Sequence, residues 1–598
     1  MKSYINKLFA GAAVMAIFGL GACTSDLDQL PQDPNALTPN KFQEDPRGYL
    51  GDVMAKCYSS LAVSGQKGPN GDADIKGLDG GTSQWSRTVF MLEEFPTDEC
   101  LWMYNDGGVD ELRWGTWSDT NAAIYGTYSR LYTHIAVCND FIRLASDPGK
   151  YGISYDEELQ KDVDQLILEA RALRDLSYYY VIDFFGNGVV AWDDMAYGEV
   201  PQQTTRTELF NKVTADLEDV LAKFQDSNIY GRLSKDGVEA LLCRYYLNAE
   251  VYTGTAQWTK CWDHAQNIIN RHKGGGFQGS GLANDYLSLF CANNRMFAPA
   301  GSLPAQNEIL WYIPQDAEYT QPYGGSCFLV NGGIKNMALA DIDILKGDAN
   351  IADGYMNQLW YGTNDAWGCM HARPQLSDLF SFVNGYSGDG RTYLWLTESA
   401  GFKKQNVPFN DFQAGYACMK FTAVQANADG SMPRFVDPVT GLNRCGVTTP
   451  QEMSQDGYNW TTYNTVGVSK WHNTGVPVIR LADVYLMAAE SALRMGSHQS
   501  EALTYVNYLR SRAGVPAWNG SELTLNTLLD ERARELYWEM TRRTDLIRYN
   551  RFVGSTYLWA WKGGVEGGSA LPAHYNLYPL PANVTAIYGQ GMTQNPGY

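Results

Sequence analysis

Residues 166–187 read LILEARALRDLSYYYVIDFFGN. Leu166, Ala170, Leu173, Ser177, Tyr180 and Phe184 recur at steps of four and three, which sets them on one face of an α-helix. Arg171 and Asp175 stand at i,i+4 beside that face, as expected for an ion pair. Gly186, after two phenylalanines, is a helix stop. The same period returns at 121–145, 207–224, 235–252 and 257–272, with short Gly-, Ser-, Asp- or Thr-rich turns between. It resumes after GVPVIRL, where Leu481, Tyr485, Ala488 and Ala492 share a face, Glu490 can reach Arg494, and Gly496 ends the helix. A partner helix runs through Ala502, Val506 and Leu509. A last long helix is expected from about Leu525 to Ile547, with Leu529, Leu536 and Met540 inward and Glu539 paired with Arg543. Helix pairs joined by Gly turns are the pattern of tetratricopeptide-like repeats. The fold class is therefore mainly α.

Between about 273 and 476 the period fails. HKGGGFQGSGLAND, NGGIKNMALADID and NGYSGDGRTYLWL read as turns, loops and short strands. So long a stretch is a subdomain or a decoration on a discontinuous helical frame, spanning about 116–272 and 477–550. Residues 23–115 read as a tether followed by loops.

The amino terminus is a leader. Lys2 and Lys7 precede the apolar run Leu8–Leu20, then Gly21 and Ala22, which is a secretory pattern too short to span a bilayer. Leu20-Gly21-Ala22-Cys23 resembles a bacterial lipobox, with residues 1–22 removed and Cys23 acylated. The other reading is a plain signal peptide with an incidental thiol. Net charge is −20, and −22 without the leader lysines, which argues against a nucleic-acid partner and against adhesion to anionic lipid. The ten further cysteines form no C-x-x-C and there are only seven histidines, so no zinc pattern appears and mostly free thiols are expected. In GPNGDADIKG, Asn70, Asp72 and Asp74 alternate like the opening of a calcium loop. However, Ile75 holds the position that needs Gly, and no Glu closes it. It reads first as a polar loop, alongside Asp33 and Asn35, with structural calcium the alternative and no other cofactor implied.

Five segments in order resemble the SusD/RagB family: EARALRDLSYYYVIDFFG (169–186), PVIRLADVYLMAAESALR (477–494), ALTYVNYLRSRAGV (502–515), LLDERARELYWEMTRRTDLIRYN (528–550) and LYPLPANVTAIYGQGMTQNPGY (577–598). The resemblance covers the whole mature chain, 23–598. One departure is Met540-Thr541, where the family often has glycine after the glutamate, read as a local packing change. The resemblance implies a SusD-like helical frame with a large loop-rich insertion carrying the ligand site. It also implies a lipid-anchored outer-membrane protein facing the cell exterior, which captures glycans, or in some members peptides, for a SusC-like TonB-dependent transporter. The motif charges Arg171, Arg174, Glu531, Arg532, Glu535 and Asp545 read as surface pairs and helix–helix bridges, not as chemistry.

A sugar offers apolar ring faces and a hydroxyl rim, so its site needs exposed aromatic rings beside fixed polar groups. Three loop clusters qualify: Trp85 and Arg87; Trp102, Tyr104, Asn105 and Asp106; and Trp360, Tyr361, Asn364, Trp367 and Arg373. Tyr393 and Trp395 alternate on an expected strand and would share a face. The rival readings are a surface glycoside hydrolase, for which no motif such as G-x-S-x-G or H-E-x-x-H is present, and a pure interaction scaffold.

Overall fold

The computed structural model describes residues 39–598 apart from 295–306, 334–366, 405–413, 437–442, 446–470 and a few short stretches (66–67, 70–72, 76–77, 227–230, 384, 386, 399–401, 428). Its principal helices are α1 Pro46–Ala62, α2 Trp85–Glu94, α3 Ala122–Ser146, α4 Glu157–Phe185, α5 Arg206–Lys223, α6 Lys235–Leu247, α7 Trp258–His272, α8 Gly325–Gly333, α9 Leu481–Met495, α10 Gln499–Arg512, α11 Leu525–Leu536 and α12 Arg542–Arg548. Successive neighbours pack as α3 on α4, α4 on α5, α5 on α6 and α6 on α7. The array then continues across the chain break, with α7 on α9 and α9 on α10. This is the expected discontinuous frame of helix pairs.

The opening stretch lies in α4. Asp156 caps it by accepting the Leu159 amide, with Glu157 and Glu158 in the positive first turn. From Ala172 to Phe185 every residue is buried, because helices and the chain terminus surround this half on all sides. Arg171 does not pair with Asp175. It reaches across to Asp216 and Asp219 of α5 (2.7 and 2.9 Å), while Asp175 is buried against Arg174 (3.2 Å). The terminal motif closes the open end of α4: the Asn595 amide donates to the carbonyls of Phe185 (2.9 Å) and Tyr578 (2.7 Å). One otherwise orphaned helix carbonyl is thereby satisfied.

The described residues of 39–115 hold more helix than expected. Asp45 and Pro46 start α1, which turns Leu50, Met54, Cys57 and Leu61 inward against α3, and α2 packs on α3 as well.

The expected helix from 525 to 547 is broken at Tyr537–Thr541. Trp538 (φ 61°) and Met540 (φ 59°) adopt left-handed conformations that cost non-glycine residues about 1–3 kcal/mol each. The departure at Met540 thus puts a side chain where glycine would sit unstrained. Two glutamates hold the break: Glu99, just before β1, accepts the Trp538 amide (3.4 Å), and Glu94, at the end of α2, that of Thr541 (3.3 Å). The break also removes the expected Glu539–Arg543 pair. Glu539 instead binds Arg480 and Lys420, each at 2.6 Å, and Arg543 binds Asp183 at 3.1 Å. The Glu490–Arg494 pair does form, at 2.8 Å.

The motif charges form the helix–helix bridges expected of them, as in Arg171–Asp216 and Arg532–Asp545, but are mostly buried rather than surface pairs, and some bind the frame to the middle of the chain. Glu531 accepts Arg391 and Arg510, each at 2.8 Å, and Glu535 lies 3.2 Å from Arg480 and 3.3 Å from Arg391. The middle segment supplies three strands, β3 Met370–Ala372, β4 Trp395–Leu396 and β5 Tyr416–Cys418, which join β1 Cys100–Trp102 in an antiparallel four-stranded sheet of order β1–β3–β5–β4. A separate antiparallel pair joins β2 Ile309–Ile313 to β6 Val476–Arg480. The nine cysteines whose side chains are described are all buried free thiols. No helix among the described residues is long and apolar enough to cross a membrane.

Candidate functional site

A cavity of about 690 Å³ opens where the amino end of α3 meets loop 78–82, the turn after β1 and the loop before α8. Ala122, Ala123 and Gly126 give it a side-chain-poor wall. Gly81 packs closely on the Tyr323 loop: a Cβ there would stand 3.0 Å from the Tyr323 Cβ.

At the floor Arg87, projecting from α2, lies over the rings of Trp102 (4.7 Å) and Phe328 (3.9 Å), which touch each other. It pairs with Asp106 at 3.2 Å and donates to the Tyr323 carbonyl at 3.4 Å. Its Nε is buried with no hydrogen-bond partner among the described residues. Burial outweighs Asp106 and lowers the Arg87 pKa from the usual guanidinium value. Asp106 also accepts the Trp102 indole N–H at 2.8 Å, so one carboxylate fixes both the ring and the cation. Trp102 itself is only 2 % exposed, stacked on Phe95.

The rim is aromatic. Tyr104 is 43 % exposed and Tyr323 48 %, and half-buried Trp367 lies between their segments. The Tyr104 hydroxyl donates to the Trp367 carbonyl at 3.4 Å, and the Tyr323 ring rests 5.2 Å from Trp471 and 6.3 Å from Trp367. Opposite, Asp79 accepts the amides of Gly81 (2.7 Å) and Thr82 (2.9 Å) and the Thr82 hydroxyl. Burial pushes its carboxyl up, but these bonds outweigh burial and hold it below the usual carboxylate range. The cavity thus combines flat apolar faces with ionised and amide-fixed polar atoms.

The structure brings together Arg87, Trp102, Tyr104 and Trp367 of the sequence candidates. Asn105 is exposed next to them, its carboxamide facing Asp110. Trp85 is no loop residue: it begins α2, is fully buried against Tyr180, and donates to Ser177 at 3.1 Å. Arg373 is buried, donating to the carbonyls of Cys100 (3.0 Å) and Ala560 (2.9 Å). Trp395 is 2 % exposed between Phe380 and Phe382, with its N–H on Tyr537. Tyr393 does not share its strand. It lies in the preceding turn, under Arg434 (4.9 Å), in a second cleft of about 370 Å³ lined by Asp285, Asp429 and Arg434. Asp74 pairs with Arg130 at 2.8 Å. Cys23, Asp33, Asn35, Asn70, Asp72, Trp360, Tyr361 and Asn364 lie outside the described residues. Sequence reasoning missed Asp79 and Tyr323. The Asp-Gly-Gly turn at 79–81 and the Pro-Tyr-Gly-Gly turn at 322–325 were the available signals.

Residues 345–598 match the sequence profile of the SusD family. The chain is 30 % identical over 614 aligned positions to the starch-binding protein SusD of Bacteroides thetaiotaomicron, covering all of this chain and 99 % of that one. Among solved structures, a SusD superfamily protein from Parabacteroides distasonis superposes with a TM-score of 0.61 at 17 % identity, over 92 % of this chain and 99 % of that one. The surface glycan-binding protein A of Bacteroides thetaiotaomicron, in complex with laminarihexaose, gives 0.59 at 17 % over the same shares. The fold of this chain is shared with these structures. This chain belongs to the SusD family.

Proposed function

We propose that the protein binds glycan chains in the cavity between Tyr104 and Tyr323 and does so without turnover. The observation that carries the reading is the pairing of exposed rings with fixed polar groups, Asp79 and the Arg87–Asp106 pair. Rings serve pyranose faces and the polar groups serve hydroxyls. The names of the relatives, starch-binding and laminarihexaose-bound, support a glucan. With Asp79 ionised and Arg87 balanced by Asp106, the lining disfavours uronate-rich chains and suits a neutral one. A glycosidase would need a carboxyl held protonated near neutral pH. Asp79 is shifted the other way, and Asp106 is engaged by Arg87 and Trp102.

In this reading Cys23 carries the lipid anchor. The protein sits on the outer face of the outer membrane and passes its ligand to a SusC-like TonB-dependent transporter. Affinity electrophoresis of the protein lacking residues 1–23, in gels containing starch, laminarin or alginate, tests the binding step. Retardation by a neutral glucan and not by alginate, lost in Y104A/Y323A, is expected. Retardation unchanged in the double variant, or release of reducing ends, would overturn it.

A further inference from the structure

Among the described residues four aromatic side chains are exposed: Tyr104, Tyr197, Tyr319 and Tyr323. Tyr104 and Tyr323 border the cavity. Tyr197 lies elsewhere, beneath Arg143 and Lys150. Tyr319 is the most exposed of the three near the cavity, at 67 %, and it stands on the loop that delivers Tyr323. An exposed ring on a mobile loop would mean little, because ordering it on a ligand costs entropy. This loop is built.

Asp316 folds the segment into one turn. Its carboxylate accepts the amides of Glu318 (2.8 Å) and Tyr319 (3.2 Å), and its carbonyl accepts the amide (2.8 Å) and hydroxyl (2.9 Å) of Thr320. Two bonds then anchor the turn to its surroundings. The Ala317 amide donates to Asn473 at 2.9 Å, and the Gln321 amide donates to the Pro69 carbonyl at 2.7 Å. The second bond ties it to the 64–80 segment, which supplies Leu78 and Asp79 to the cavity. The turn fixes the Tyr319 backbone while leaving its ring uncovered. Four residues of chain place the Cα atoms of Tyr319 and Tyr323 at most about 14 Å apart, a span that a few linked sugar rings bridge. A pre-positioned, uncovered ring beside a stacking cavity is a platform for the next stretch of the same ligand.

We propose that Tyr319 forms a distal subsite, which takes the ring face of a sugar several units along a chain seated between Tyr104 and Tyr323. The inference rests on the glycan-binding reading of the cavity. It makes the protein select for chain length: short oligosaccharides engage the cavity alone, whereas longer ones also reach Tyr319.

The test is calorimetric titration of the protein lacking residues 1–23 with maltotriose, maltoheptaose, laminaritriose and laminarihexaose. The unmodified protein should favour the long member of the series it binds. Y319A should weaken that long member by about three- to tenfold while leaving the trisaccharide unchanged. Y319F, which keeps the ring, should behave as the unmodified protein, and unaltered melting temperatures would show that both variants fold. Equal affinities of Y319A and unmodified protein for the long chain would overturn the distal subsite alone. So would an equal loss on long and short chains. Absence of binding to all four sugars by the unmodified protein would overturn the reading of the cavity, and the subsite with it.

Discussion

Arg480 and Arg87 are both buried among aromatic rings, yet they belong to regions with opposite uses of charge. Arg480 meets Glu539 and Glu308 at 2.6 Å and Glu535 at 3.2 Å. Burial works against its charge, but these carboxylates outweigh burial and raise its pKa. Arg87 has one carboxylate at 3.2 Å, and there burial prevails. Around Arg480, charge is matched by carboxylates and holds elements together. At the cavity floor, bonding capacity is left over for a ligand. Stability and binding should therefore separate by region.

The largest break in that comparison is Glu539→Ala. It leaves Arg480 and Lys420 buried with less compensation, and should cost about 3–5 kcal/mol in chemical denaturation. An effect below 1 kcal/mol would show that the charges around Arg480 are not matched as described. Asp106→Asn should loosen both Trp102 and Arg87, weakening glycan binding by about tenfold for a stability loss of about 1–2 kcal/mol. Equal binding by D106N would remove the floor from the site.

Acid titration sharpens the frame side. Burial alone would raise the carboxyl of Glu490, but Arg548 and Arg494 outweigh it and lower its pKa to about 2. A depressed carboxylate contributes stability that is full above its unfolded value near 4.5 and is lost as pH falls toward 2. Glu93 and Glu99, held up to about 8 chiefly by burial, act in the opposite sense and oppose stability as pH rises from about 4.5 to 8. The stability difference between unmodified protein and E490Q isolates the first effect. It should be about 3 kcal/mol at pH 7 and shrink below pH 4.5. A difference independent of pH would contradict the assignment. The smallest effect belongs to Tyr393→Ala in the second cleft, which should leave glycan affinity unchanged by titration.

The same division governs what could be read from the sequence. Helix period locates α3 to α7 and α9 to α10 because those helices repeat apolar residues along their own length. It cannot see the break at Tyr537–Thr541, since left-handed Trp538 and Met540 are held by Glu94 and Glu99 more than four hundred residues earlier. A search for loop aromatics reached Tyr104 and Trp367, together with Trp102, which is a buried strand residue under the cavity. It also took in Trp85 and Trp395, whose burial is decided by Tyr180 and Phe380 across the fold. Tyr323 escaped because it meets the rest of the site only across the fold, where its loop packs on Gly81. Local pattern reports elements, whereas exposure is a property of their assembly.

The most direct test is a crystal structure of the protein with a bound neutral gluco-oligosaccharide. The account predicts sugar rings against Tyr104 and Tyr323, with hydroxyls on Arg87 or Asp79. Sugar seated in the Tyr393 cleft, with the Tyr104–Tyr323 cavity empty, would contradict it.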